Sequence, residues 1–156
     1  MKQFIITLCA LFALASCNID SSELMPVKTT ESDMIGRRFS YRESTQTCYV
    51  AFYDIPTQSG QGLSLGYYII PDNGENYYNA YAGWYVDKDG VLAAESGYIV
   101  EDLYYVTDRF PALLEVKLKG IDELQPFYED SKYDMSEDIF YPFRMSVADW
   151  ETVYGW

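Results

Sequence analysis

Tyr77-Tyr-Asn-Ala-Tyr-Ala-Gly-Trp-Tyr-Val86, Asp87-Lys-Asp-Gly90 and Val91-Leu-Ala-Ala-Glu-Ser-Gly-Tyr-Ile-Val100 follow one another without a break, and together they point to the fold class. The flanking segments are rich in aromatic and β-branched residues, and the Asp-Gly pair between them tolerates positive φ. Together they predict a β-hairpin. Side chains alternate across a strand, so Tyr77, Tyr81 and Tyr85 are expected on one face and Trp84 and Val86 on the other.

Outward from the hairpin the same period of two recurs. Residues 37–43 set Phe39 and Tyr41 against Arg38, Ser40 and Arg42, and 47–54 form a run of aromatic and β-branched residues. Residues 63–70 alternate Leu63, Leu65, Tyr67 and Ile69 with Ser64, Gly66 and Tyr68. Strands are predicted again over 103–107 and 113–119, the latter with Leu114, Val116 and Leu118 on a dry face. Ser59-Gly-Gln-Gly62 and Pro71-Asp-Asn-Gly74 read as loops.

Beyond Gly120 the pattern weakens. Residues 121–130 contain Pro126 and predict at most a short helix, 131–138 a polar loop, and 140–145 a last strand. Ser146-Val-Ala-Asp149 resembles a capping box, so a short helix is expected there. The expectation is one mainly β domain over 34–156: an antiparallel barrel or a β-sandwich, with one or two short C-terminal helices. Ile35-Gly36 ahead of the first strand is similar to the opening of lipocalin-like barrels, with Arg37 and Arg38 where those carry a tryptophan. That resemblance implies the barrel.

The N-terminus has another character. Lys2 is followed by an apolar run from Phe4 to Ala13, too short to span a bilayer, and then by Leu14-Ala-Ser-Cys17. This resembles the signal peptide and lipobox of bacterial lipoproteins. The resemblance implies removal of residues 1–16 and acylation of Cys17, with several acyl chains as a lasting membrane anchor. Asn18 implies an outer-membrane destination in the cell envelope, in either leaflet; Asp20 and Glu23 resemble an acidic surface-export signal. Residues 17–33, polar and without period, read as a lipidated flexible tether.

Composition narrows the function. The net charge is −13, and loss of Lys2 with the signal makes it about −14, so no nucleic-acid partner is expected. Cys9 leaves with the signal and Cys17 is acylated, which leaves Cys48 alone, on a face shared with Val50 and Phe52, as a buried small hydrophobe. Histidine is absent, which excludes Ser-His-Asp and Cys-His catalysis and the usual zinc sites.

Three features remain. The acid pairs Glu101-Asp102, Glu129-Asp130 and Glu137-Asp138 point to opposite faces if on strands, so none forms a dyad for glycoside hydrolysis. Asp87-Lys-Asp-Gly90 and Asp72-Asn-Gly-Glu75 resemble fragments of calcium loops but lack the remaining oxygens, so no metal or cofactor is expected. The sixteen tyrosines are the stronger signal. Tyr49, Tyr67, Tyr77, Tyr81 and Tyr85 are the candidate binding residues, because flat rings with hydroxyl tips suit glycans and peptides. The expected function is a non-enzymatic, membrane-anchored binding protein. A structural or assembly subunit of an envelope protein complex is the alternative, and a carboxylate-dependent hydrolase comes after it.

Overall fold

The structure, a computed structural model, describes residues 25–57, 60–74, 78–95 and 99–138. A one-turn helix α1 (Glu31–Met34) leads into β1 (Arg38–Arg42), β2 (Gln46–Pro56), β3 (Leu63–Pro71), β4 (Tyr78–Val86), β5 (Leu92–Glu95), β6 (Val100–Thr107), β7 (Leu113–Leu118) and β8 (Gln125–Glu129). A short 3₁₀ turn follows at Met135–Glu137. The strands form one antiparallel sheet in the order β5-β4-β3-β2-β1-β8-β7-β6, and its two ends, β5 and β6, lie against each other. The result is a nearly closed barrel, not a sandwich.

The hairpin expected around Asp87–Gly90 is present. Trp84 faces Ala94 and Val86 faces Leu92 across it. Asp87 caps the turn: its carboxylate accepts the N–H groups of Asp89 (2.8 Å) and Val91 (2.9 Å), and Gly90 takes φ +82°. The second strand is shorter than expected, ending at Glu95, and Val100 begins β6.

Alternation fills the interior. Phe39, Val50, Phe52, Leu65, Trp84, Leu103, Leu114, Val116 and Phe127 are buried there, with Cys48 beside them. The rings of Phe39 and Phe52 meet edge to face at 5.9 Å, and those of Phe52 and Trp84 at 5.1 Å. The indole N–H of Trp84 reaches the Ser64 carbonyl at 3.1 Å, so this large side chain is buried without an orphaned donor. Each such side chain taken out of water contributes about 1.5–3 kcal/mol, and Cys48, the cysteine among the described residues, is a free thiol.

Two expectations are corrected. The segment 121–130 holds a strand, β8, and not a short helix. Pro126 fits because the β1–β8 pairing covers only Phe39–Glu129 and Ser40–Tyr128, and Pro126 lies beyond it. Residues 27–33, expected to belong to a flexible tether, are instead fixed to the barrel. Val27 N–H bonds the Tyr105 carbonyl (2.8 Å) and Thr29 N–H bonds the Gly90 carbonyl (2.9 Å), so this segment crosses the seam between β6 and the β4–β5 turn. Thr30 then caps α1 through a reciprocal pair with Asp33, and the wholly buried Met34 stops that end of the barrel. The strand expected over 140–145 and the helix at Ser146 lie outside the described residues, as does Cys17.

Candidate functional site

The described interior is filled by buried side chains, and further aromatic residues lie on the outer face. The outward residues of β2 and β3 make a second, smaller apolar cluster: Ala51, Tyr53 and Tyr68 are buried, with Tyr49, Ile55, Ile70 and Tyr81 around them. Tyr133 and Met135 from the segment after β8 pack against it. An outer sheet face is therefore roofed by the C-terminal stretch.

Polar groups hold that roof. Arg38, outward on β1, pairs with Asp130 and donates to the Tyr68 hydroxyl at 2.8 Å. Its guanidinium lies between the rings of Tyr49 (4.5 Å) and Tyr133 (4.4 Å), and Tyr49 stacks on Tyr68 at 5.0 Å. The buried carboxylate of Asp138 accepts from the hydroxyls of Tyr133 (2.6 Å) and Tyr53 (3.1 Å). Burial, followed by the charge of Asp138, pushes the Tyr53 and Tyr68 hydroxyls far above the usual tyrosine range. Burial and the bond to Asp138 do the same to Tyr133. These phenols stay protonated and do not act as bases.

Glycine makes the layering possible at Gly66. A Cβ there would stand 2.7 Å from the Tyr53 ring, so the ring lies directly on the strand backbone. Gly83 plays the same part on β4, where a Cβ would stand 2.8 Å from the Cβ of Glu95.

No family model, curated protein or solved structure matches this chain.

The candidate tyrosines part company. Tyr67 is interior and only 5% exposed, which removes it from the expected outward row; the parity of β3 turns it inward with Leu65 and Ile69. Tyr49 and Tyr81 are outward but half-buried in the roofed cluster. Tyr77 lies outside the described residues. Tyr85 is outward and 40% exposed, at a depression of about 480 Å³ lined also by Gln61, Gly62, Ala94 and Glu95. Gly62 (φ +98°) packs so closely that a Cβ would stand 2.6 Å from the Trp84 carbonyl.

Other sequence candidates are absorbed locally. Asp72 pairs with Arg42, and Asp87 is bonded within its own turn. Among the described residues no group of three or more acids or thiols is placed to hold a metal ion. Burial pushes the Cys48 thiol above its usual range, the opposite of an activated nucleophile. Glu129 and Asp130 do point to opposite sides, one to Arg37 and one to Arg38. Missed altogether were the roles of Arg38, Tyr53, Tyr133 and Asp138. The available signal was an arginine doublet at the start of one strand and an acid doublet at the end of another.

Proposed function

We propose that this is an exported lipoprotein, anchored in the outer membrane by acyl chains on Cys17, whose barrel flank around Tyr85 binds a glycan. The observation that carries the binding reading is the 40% exposed Tyr85 ring at the edge of a shallow depression. A sugar ring lies flat on a phenol face, and the phenol hydroxyl both donates to and accepts from sugar hydroxyls. The packed interior supports a surface site over an internal cup. The lipobox Leu14-Ala-Ser-Cys17 supports the anchor.

Two measurements test the two halves. Mass spectrometry of the membrane-purified protein should find an acylated cysteine at the N-terminus, and Cys17→Ser should release the protein; an unmodified N-terminus at or beyond Asn18 in membrane-bound material refutes the anchor. Tyr85→Ala should leave melting unchanged while weakening glycan-array binding by roughly thirtyfold, the equivalent of about 2 kcal/mol at an interface centre. Binding only to peptides, or glycan binding that Tyr85→Ala leaves intact, refutes the glycan site.

A further inference from the structure

The alternating strand directions put α1, the β2–β3 loop, the β4–β5 turn and the β6–β7 loop at one end of the barrel. The β1–β2, β3–β4 and β7–β8 connections are at the other. At the α1 end the described residues begin: Val27 is bonded to Tyr105, near the finish of β6, and Met25 lies two residues before it, 86% exposed. The same end presents Phe110 in the β6–β7 loop, 71% exposed, the most open aromatic ring among the described residues.

From these placements we infer that the α1 end of the barrel is seated on the bilayer, with Phe110 and Met25 immersed at headgroup level. The inference rests on acylation of Cys17. Eight residue steps separate Cys17 from Met25, a reach of about 26–29 Å even when fully extended. Inverting the barrel would require this link to run back along a strand such as β6, whose eight residues measure about 26 Å. Almost nothing would be left over to reach the lipid. Seated with α1 downward, the link has slack, and the two exposed apolar side chains meet lipid instead of water. Asp87, Asp89 and Asp108 lie at the same end with Lys28, Lys88 and Arg109 among them, so this end carries no cationic excess to draw it to anionic lipid, and a zwitterionic surface is the fitting one. Tyr85, one residue from the finish of β4, and its neighbours Gln61 and Gly62 in the β2–β3 loop lie near the same end, so a glycan held there would sit close to headgroup level on the outer wall.

Site-specific depth labelling of the acylated full-length protein tests this. Arg109→Cys, beside Phe110, and Glu123→Cys, in the β7–β8 connection, each provide an exposed thiol, while Cys48 is buried and stays unlabelled. Each variant is tagged with an environment-sensitive fluorophore and reconstituted into phosphatidylethanolamine–phosphatidylcholine vesicles carrying a nitroxide near the headgroup. The label at 109 should be quenched severalfold more than that at 123, and adding Phe110→Ser should remove most of the difference. Equal quenching at the two sites in vesicle-bound protein overturns the seating and leaves the anchor standing. Quenching stronger at 123 overturns it as an inverted barrel. Protein that stays with the supernatant and lacks acyl chains overturns the anchor and the seating together.

Discussion

Arg37 and Arg38 are neighbours in the chain and lie on opposite sides of the barrel wall. Arg37 closes the α1 end from within: it pairs with Glu129 at 2.7 Å, donates to the Tyr105 hydroxyl at 2.9 Å and covers the Phe39 ring. Arg38 faces out and ties β1 to the C-terminal roof. Burial opposes both charges, but the hydrogen bonds and charges of their partners outweigh it, and both guanidiniums titrate above their ordinary value. One doublet thus fastens two cores.

Arg38→Ala should therefore be costly. It strands Asp130 and the Tyr68 hydroxyl in a half-buried site and removes a cation held between two rings, an expected loss of roughly 2–3 kcal/mol. Arg38→Lys should recover only part of it, because an ammonium cannot fork between a carboxylate and a phenol or stack flat. Arg42→Ala, whose pairing with Asp72 is in open solvent, should barely move the midpoint. Urea denaturation of the three variants checks the order; equal effects at 38 and 42 refute the roofing role.

Gly66→Ala pushes a methyl group into the Tyr53 ring. The ring sits between the strand and Asp138 and has no free direction in which to move, so the expected loss is about 1–3 kcal/mol. In a Tyr53→Leu background the same substitution should cost clearly less, since the two positions are in contact and couple. Additive losses in that cycle show that the strain lies elsewhere.

The strands were legible because one period ran through each: Leu114, Val116 and Leu118 are buried as their spacing demands, and the Asp-Gly turn falls where predicted. β8 was not, since Pro126 disguises a strand whose β1 pairing is two residue pairs long. The second apolar layer was equally hidden. Alternation says that Tyr53 and Tyr68 face away from the interior, and a residue facing away is ordinarily wet. Only tertiary contact with Tyr133 and Met135, about 80 residues later than Tyr53 in the chain, makes that face dry. Of the proposed tyrosines, parity alone already separated Tyr67 from Tyr85 in principle, because Tyr67 shares its face with Leu65 and Ile69.

Alkali should unfold the protein early. In an unfolded chain tyrosine titrates near pH 10, whereas burial and then Asp138 hold Tyr53 and Tyr68 protonated well above that. Above about pH 10 the unfolded state sheds protons that the folded state keeps. The stabilisation is complete below that pH and is lost as pH rises, by about 1.4 kcal/mol per pH unit for each such tyrosine. Urea midpoints followed from neutral pH upward should fall steeply past about pH 10, and Tyr68→Phe should flatten the slope. A flat profile contradicts the buried, neutral phenols.

Three tyrosines should differ in what removing each ring does to stability. Tyr67 is inside the barrel, in one cluster with Phe52, Leu65 and Trp84, and Tyr67→Ala opens a cavity there. A loss of about 3–5 kcal/mol is expected, enough to threaten a domain of this size. Tyr81 belongs to the roofed outer cluster and is half-buried, so Tyr81→Ala should fall between the extremes, at about 1–2 kcal/mol. Tyr85 has open solvent over much of its ring, and Tyr85→Ala should lie within about 0.5 kcal/mol of the parent. Thermal and urea unfolding of the three variants give the ranking directly. If Tyr85→Ala proves as destabilising as Tyr81→Ala, the ring is a structural member of the wall, and its exposure loses its meaning as a binding feature. If Tyr67→Ala proves harmless, the interior is not the packed core from which the surface location of the site was argued.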